Sequence, residues 1–312
     1  MHAIQFHHGP NWFPAAVTAF SLRKNSGLRS LRLTLYTTDM DVFENPFLPR
    51  VFDEICAPPE GYDRIWNTDW NQWQRHSSHV GKQAYPVEFR KYAMLKYYCF
   101  LAAHCAPDET LLYTDSDVLC LRPITELEGM FSTGGARWAA RVNYWTRDGQ
   151  IGHVNTGVLV KTAAFQEVAG KFLEPVLDPE LFAEAMQLTL LDDEAALKWT
   201  LRKYGSCGLV PLGPEWNTFM WNYEHRAPGF APRFMHFCCR TKPWLGTYYP
   251  AIMRGYYLEW ERMARETCRF IDYPPSGRGV PERFRWPYQL GEKHQPLSWR
   301  FSPNPTLAHA HP

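Results

Sequence analysis

The sequence predicts an α/β protein in which a mixed, mainly parallel sheet is flanked by helices. Short apolar, β-prone runs alternate with segments of helical period up to Tyr273. The chain opens with a strand, a turn, a helix and a second strand, an order typical of nucleotide-binding α/β domains. A later apolar run ends abruptly in two carboxylates, as expected of a strand that ends at a ligand site.

The predicted elements follow one another in the order that this class requires. Asn11 is expected to cap the first helix and Gly27 to end it, while Pro107 and Pro175 should stop two later helices. The predicted strands are 3–7, 31–37, 52–56, 111–114, 137–142, 154–160, 209–212 and 234–237. The predicted helices are 12–26, 87–104, 165–173, 194–204 and 251–269.

Two segments lack this periodicity. Residues 61–86 set three tryptophans among polar residues and are interpreted as a mobile insertion over a cleft, or as a surface excursion packed on the body. The predicted domain is therefore 1–272, followed by a tail at 273–312 rich in proline, arginine and aromatic residues. Cations interleaved with aromatics suit the headgroups of an anionic membrane, and a tail that wraps the body is the alternative.

Composition narrows the class and the compartment. Hydrophobic residues make up 45% and charged residues 21%, as in globular proteins, and a net charge of +1 gives no reason to expect a nucleic-acid partner. The start of the sequence shows no charged region followed by an apolar one. Eight scattered cysteines without a C-x-x-C suit a reducing compartment. We therefore expect a cytoplasmic protein, with peripheral membrane contact only through the tail.

The run 111–120 carries the strongest chemical signal. Asp115 and Asp117 leave a predicted buried strand one residue apart, so that both carboxylates can share one hard cation such as Mg²⁺ or Mn²⁺. A turn that caps Arg122 or the next helix is the alternative. His236 and Cys238 with Cys239 raise the question of zinc, but no second cysteine pair completes a four-ligand set.

Three segments in order resemble the retaining, metal-dependent glycosyltransferases of family 8. The acidic strand is similar to the D-x-D motif of that family, Asn155-Thr156-Gly157 to its N-x-G segment, and the run 236–244 to its H-x-x-G-x-x-K-P-W. The resemblance covers roughly residues 1 to 250 and implies a GT-A fold. Cys239 stands where the motif has glycine, and His7 and His8 stand where the first turn often has acidic or small residues.

The resemblance implies transfer of a sugar from a UDP-sugar donor, with retention, to a glycan, glycolipid or protein. Mn²⁺, or Mg²⁺, would be held by Asp115, Asp117 and His236. The remaining donor-binding and catalytic assignments are His7, Asn11, Arg90, Lys91, Asp115, Ser116 and Lys242 for the donor, and Glu194, Asp193 and Asn155 for catalysis.

Several of these assignments have an ordinary structural alternative. Arg90, Lys91 and Lys96 lie on one predicted helix, where most cations are simply solvated. Glu194 would steady an oxocarbenium ion or form a glycosyl intermediate, but the acidic run 192–194 also fits a helix cap. A hydrolase with the same metal site and a catalytically silent glycan-binding module are the alternative functions. Turnover of the donor with and without an acceptor separates them.

Overall fold

The structure is a computed structural model. It describes residues 1–9, 11–68, 87–131, 135, 137–145, 151–186, 188, 192–219, 229–238, 242–245 and 254–273. Most of the predicted insertion and the tail from residue 274 onwards therefore lie outside the described residues, and the domain boundaries stay predictions.

Ten strands are described. They are β1 His2–His7, β2 Arg32–Thr37, β3 Glu54–Cys56, β4 Thr110–Thr114, β5 Val118–Cys120, β6 Trp138–Trp145, β7 Ile151–Thr162, β8 Leu209–Leu212, β9 Thr218–Phe219 and β10 Phe234–His236. Seven of them form one sheet in the order β3-β2-β1-β4-β7-β6-β8, and a second sheet has the order β5-β10-β9. In the larger sheet as described, β7 runs antiparallel to both neighbours, and the other pairs are parallel.

Nine α-helices are described. They are α1 Phe13–Asn25, α2 Met40–Phe43, α3 Tyr62–Trp66, α4 Val87–Ala102, α5 Glu126–Gly129, α6 Gln166–Leu177, α7 Pro179–Ala185, α8 Asp192–Tyr204 and α9 Arg254–Phe270. Short 3-10 helices cover Leu48–Arg50, Ala163–Phe165, Pro214–Trp216 and Pro243–Leu245. The predicted fold class, a mainly parallel mixed sheet flanked by helices, is confirmed. Among the described helices, none combines the length and hydropathy that crossing a bilayer requires.

The central strands bury side chains on both faces of the larger sheet. Leu112 of β4 belongs to the core formed with α1 and α9, whereas Leu111 and Tyr113 belong to the core formed with α4, α6 and α8. Strands buried on both faces read as short continuous apolar runs, and this is why they stood out in the sequence. The two cores cover the faces of the sheet, and polar residues lie at the carboxyl ends of β1 and β4.

Two residues predicted to begin or end helices do not do so. Trp12, not Asn11, precedes the first turn of α1, and the Trp12 side chain makes no capping bond. Packing of Phe13 and a proline in the first turn define this start. Helix α6 continues through Pro175 to Leu177. The carbonyl of Lys171, which Pro175 cannot bind, accepts a hydrogen bond from Oγ1 of Thr200 at 3.5 Å.

The start of the predicted insertion is ordered rather than irregular. Tyr62–Trp66 forms α3, and the ring of Trp66 lies 6.4 Å from that of Tyr92 on α4, measured between centroids. This tryptophan therefore packs on the body, as one of the two interpretations held. Residues 69–86, with Trp70 and Trp73, lie outside the described part of the chain.

Lys161 on β7 is fully buried within the core between the sheet and α4. Its Nζ donates to the carbonyls of Leu101 (3.0 Å) and Ala103 (2.8 Å) at the carboxyl end of that helix. These carbonyls have no partner within the helix, so the lysine satisfies them. Burial lowers the pKa of Lys161 from 10.5 to about 7.

We predict that Lys161 makes stability depend on pH. Above about pH 7 the folded protein loses a proton that the unfolded chain keeps up to about pH 10.5, so the free energy of unfolding should rise by a few kcal/mol across this window. Lys161→Met should lack that rise, while Lys171→Met, at an exposed lysine of α6, should keep it. Urea denaturation at several pH values measures the difference. The same pH dependence in Lys161→Met and wild type would contradict the prediction.

Candidate functional site

Three segments of the chain meet where β4 ends. The backbone N–H of Asp115, directly after β4, donates to the carbonyl of Gly157 in β7 (2.9 Å). The carbonyl of Asp117, directly before β5, accepts from the N–H of Phe237 (2.9 Å). The strand β10 is antiparallel to β5, and its last residue, His236, pairs with the first residue of β5. Backbone hydrogen bonds therefore place His236 beside Asp117, although they are far apart in sequence.

The side chains of Asp115, Asp117 and His236 form one compact group. One ligand atom of each lies within 4.8 Å of the others. Nε2 of His236 lies 3.2 Å from Oδ1 of Asp117 and 3.6 Å from Oδ2 of Asp115. Asp117 is 6% exposed and His236 is 4% exposed. The structure thus brings together the three residues assigned to a metal from the sequence, and their role as ligands stays a prediction.

This group fits a divalent cation. Oδ1 of Asp117 is buried and accepts no hydrogen bond from the described residues. A buried anionic oxygen without a donor is unfavourable unless a cation lies next to it. Two carboxylates and one imidazole are ligands that Mg²⁺ and Mn²⁺ accept, and the nitrogen favours Mn²⁺.

Lys96 on α4 lies between two carboxylates of the site. Its Nζ is 3.0 Å from Oδ2 of Asp115 and 3.0 Å from Oδ2 of Asp193. Burial opposes the charge of Lys96, but the two carboxylates outweigh it and raise the pKa of this lysine. Burial likewise opposes ionisation of Asp115, yet Lys96, by its charge and its hydrogen bonds, holds the pKa of that carboxyl below its usual value. Lys96 is therefore a fixed positive charge at the centre of the site.

Lys242 is the second lysine of the site. Its Nζ lies against Oδ2 of Asp117 and 5.8 Å from the centroid of the Trp244 ring. Burial lowers the pKa of Lys242 to about 7, while the charge of Asp115 acts in the other direction. A bound anion beside this amine would raise its pKa again, because an opposite charge favours the protonated form.

Asp193 and Glu194, in the first turn of α8, are bound to side chains of β7. Oγ1 of Thr156 donates to Oδ2 of Asp193 (2.5 Å). Nδ2 of Asn155 donates to Oε1 of Glu194 (3.1 Å), and Nε2 of His153 lies 2.6 Å from its Oε2. Burial raises the pKa of Glu194, and the hydrogen bond from His153 opposes that shift. These bonds and this burial go beyond what the capping interpretation of the acidic run requires.

Strand β7 is irregular beside these residues. Ala140 of β6 pairs with Leu159, but the next residue, Arg141, pairs with Asn155. Residues 156–158 of β7 therefore have no paired residue in β6. Gly157 lies in this bulge, where a Cβ atom would come within 2.2 Å of Cε1 of His236. Absence of a side chain is what lets His236 approach so closely. The Asn155-Thr156-Gly157 segment, assigned from its resemblance to a sugar-binding motif, therefore also shapes the metal group.

The two donor-binding residues predicted in the first turn lie at the end of β1. Nε2 of His7 is 3.1 Å from the carbonyl oxygen of Gly9, and burial lowers the pKa of His7 to about 4. Oδ1 of Asn11 is buried and has no hydrogen-bond partner among the described residues. The N–H of Gly9 donates to Oδ2 of Asp39 (3.0 Å), which joins this turn to the end of β2. Their contact with a donor stays a prediction.

The other three residues predicted to bind the donor lie on α4 and between β4 and β5. Arg90 is buried on α4, and Nζ of Lys91 lies 3.7 Å from the centroid of the Trp66 ring. The carbonyl of Ser116 accepts from Oγ1 of Thr18 on α1 (3.0 Å). Cys239, which replaces the motif glycine, lies outside the described residues. These assignments also stay predictions.

Sequence reasoning missed three residues of the site. Lys96 was grouped with surface cations, although α4 leads directly into the acidic strand and its inner face had to meet that strand. His153 lies two residues before Asn155 and had no motif to mark it. Asn217 belongs to the segment between a 3-10 helix and β9, and only the pairing of β9 with β10 brings it to His236.

We predict that Gly157→Ala displaces His236 and weakens binding of a divalent cation. The added Cβ overlaps the imidazole, so the ring has to move away from Asp115 and Asp117. Calorimetric titration with Mn²⁺ should show a loss of affinity of at least 10-fold, comparable to the loss of a supporting contact. The control Gly170→Ala, on α6 with nothing within 4 Å of the added atom, should bind as wild type does. Equal affinity in both variants would contradict the prediction.

Comparison with known proteins identifies the fold. No family model and no curated sequence matches the chain. Its structure is similar to that of the galactosyltransferase LgtC with donor and acceptor sugar analogues, with a TM-score of 0.58, 13% identity, and coverage of 85% of this chain and 96% of LgtC. GlyE of Streptococcus pneumoniae TIGR4 gives 0.51 and 14%, over 85% of this chain and 62% of GlyE. The chain therefore has the GT-A fold of these glycosyltransferases, as the sequence resemblance implied.

Proposed function

We propose that the protein is a metal-dependent glycosyltransferase that moves a sugar from a UDP-sugar donor to a glycan, glycolipid or protein acceptor, with retention. The convergence of Asp115, Asp117 and His236 at the carboxyl end of β4 carries this proposal. Ligands bind at this edge in open α/β sheets. The fold shared with LgtC and GlyE supports transfer of a sugar, because both are glycosyltransferases.

The chemistry requires charge stabilisation at the leaving diphosphate. Asp115, Asp117 and His236 would hold Mn²⁺ or Mg²⁺, which supplies Lewis-acid neutralisation of the phosphate oxygens when bound. Lys242 lies beside Asp117 and would supply a second positive charge, in addition to that of Lys96. Charge placed in advance on buried groups is effective because it needs no reorganisation during the reaction.

The sugar side of the site is assigned to Glu194, Asp193 and Asn155. Glu194 has its two oxygens held by different donors, so its carboxylate has a fixed orientation. A carboxylate beside the anomeric carbon stabilises an oxocarbenium ion, and at closer range it forms a glycosyl intermediate that gives retention through two inversions. Asp193 is tied to Lys96 and Thr156, which suits a positioning role toward sugar hydroxyls.

The other assignments are part of the same proposal. His7, Asn11, Arg90, Lys91 and Ser116 would contact the nucleotide or the diphosphate. We assign the peripheral membrane contact to the tail beyond residue 273, which lies outside the described residues. A panel of donors, tested for Mn²⁺-dependent release of UDP, identifies the donor sugar.

We predict that Asp115→Ala lowers turnover of the donor by on the order of 10³, about 4 kcal/mol of transition-state stabilisation. The loss follows because one ligand and the partner of Lys96 disappear together. Asp108→Ala, at an exposed carboxylate before the other end of β4, is the control and should keep full activity. Release of UDP is measured with and without acceptor, after chelation and after return of Mn²⁺. Donor consumption without an acceptor requirement would favour a hydrolase, and binding without consumption would favour a glycan-binding protein.

We predict that Glu194→Gln keeps the fold and the donor affinity but lowers the chemical rate, and that Glu194→Ala lowers it further. The amide keeps an oxygen near the sugar without the full charge. Burial raises the pKa of Glu194, so its carboxylate is protonated at a higher pH than an exposed one would be. As the pH is lowered, the wild-type rate should therefore begin to fall earlier than it would with an exposed carboxylate. Glu180→Gln, at an exposed position of α7, is the control. Near-normal rates in both Glu194 variants would move the search to Asp193.

A further inference from the structure

A chain of hydrogen bonds joins His236 to Glu194 through two asparagines. Nδ1 of His236 lies 3.1 Å from Oδ1 of Asn217. Nδ2 of Asn217 donates to Oδ1 of Asn155 (2.5 Å), and Nδ2 of Asn155 donates to Oε1 of Glu194 (3.1 Å). We call these four side chains the asparagine relay. Asn217 is its fully buried member that no sequence motif indicated.

The backbone of Gly157 fixes the direction of the asparagine relay. Its N–H donates to the Asn155 side chain at 2.9 Å, and an N–H can only donate, so the atom that it meets is the oxygen. The atom of Asn217 that faces this oxygen is then its amide nitrogen. Oδ1 of Asn217 therefore faces His236, and Nδ1 of His236 carries the proton that this oxygen accepts.

Because Nδ1 of His236 is hydrogen-bonded to Asn217, the other ring nitrogen, Nε2, faces the carboxylates. The nitrogen lies 3.2 Å from Oδ1 of Asp117 and 3.6 Å from Oδ2 of Asp115. In a neutral imidazole protonated at Nδ1, Nε2 carries the lone pair. A lone pair that faces two anionic oxygens is unfavourable by itself and becomes favourable when a cation lies among the three atoms. The relay thus presents Nε2 as a metal ligand.

A second contact holds Asn217 independently of the relay. A guanidinium N–H of Arg141 on β6 donates to the backbone carbonyl of Asn217 (2.6 Å) and to that of Pro214 (3.2 Å). Arg141 is itself buried, and its guanidinium carbon lies 5.0 Å from the centroid of the Phe219 ring. The backbone of Asn217 is therefore held by a contact that does not involve its side chain.

We infer that Asn217 is the positioning residue of the metal site, a role that rests on the function proposed above. Its amide oxygen holds His236 in the tautomer that binds a divalent cation through Nε2. Its amide nitrogen links that imidazole to Asn155 and Glu194 on the sugar side. One buried amide therefore couples the metal group to the carboxylate assigned to the sugar.

The first test is the affinity of the whole chain for Mn²⁺, measured by calorimetric titration without a donor. Asn217→Leu removes the acceptor of the Nδ1 proton, and we expect the Kd for Mn²⁺ to rise by about 10- to 100-fold. Thr218→Val is the matched control, because Thr218 is equally buried but donates to the carbonyl of Pro214. It should bind Mn²⁺ as wild type does.

Asn217→Asp separates the two ends of the relay and provides a second variant if Asn217→Leu does not fold. A carboxylate still accepts from Nδ1 of His236, so the affinity for Mn²⁺ should be retained. It cannot donate to Oδ1 of Asn155, so kcat should fall while the affinity for Mn²⁺ does not. This separation of binding from turnover is not expected of a residue that only maintains the fold.

Two outcomes overturn the inference. Folded Asn217→Leu that binds Mn²⁺ as tightly as wild type removes the link between Asn217 and the metal, even if the proposed transferase activity stands. Folded Asn217→Asp that loses Mn²⁺ affinity as far as Asn217→Leu does shows that an acceptor for His236 is not what matters. Failure of wild type and Thr218→Val alike to bind Mn²⁺ contradicts the proposed metal site itself, and the role of Asn217 with it.

Discussion

The site gathers several negative charges in a small and mostly buried region, and the structure depends on the positive charges and hydrogen-bond donors that offset them. Its carboxylates are Asp115, Asp117, Asp193 and Glu194. Charges of one sign at this spacing repel one another strongly where water is excluded, so the folded state requires cations and hydrogen-bond donors among them. Lys96 lies between two of the carboxylates, and Lys242 lies against a third. The metal proposed here would complete a balance that these lysines begin.

Backbone bonds place the two carboxylates of the metal group, Asp115 and Asp117. Asp115 is tied to β7 through Gly157, and Asp117 is tied to β10 through Phe237. The bulge in β7 and the missing side chain of Gly157 then make room for His236. A site held by strand ends and backbone bonds is more rigid than one held by loops, and rigid placement is what electrostatic stabilisation requires.

What the sequence predicted well was local. The fold class followed from alternating strand and helix patterns, and the grouping of Asp115, Asp117 and His236 followed from motifs of a few residues, while their role as ligands stays a prediction. Contacts set by the tertiary structure could not be read in this way. Lys96 looks like any helix cation until α4 packs beside β4, and Asn217 acquires a role only when β9 pairs with β10. Pro175 was a misleading local signal, because a threonine on a neighbouring helix satisfies the freed carbonyl.

The asparagine relay explains why the metal side and the sugar side of the site belong together. Asn155 and Asn217 each make hydrogen bonds in two directions, so neither side chain can rotate without breaking at least two, each worth about 0.5–1.5 kcal/mol. The backbone N–H of Gly157 and the guanidinium of Arg141 anchor the relay at two points. The direction of each bond is therefore set by the fold itself. The imidazole of His236 and the carboxylate of Glu194 are oriented before any substrate arrives, which is the condition under which buried charges and lone pairs act most strongly on a developing charge.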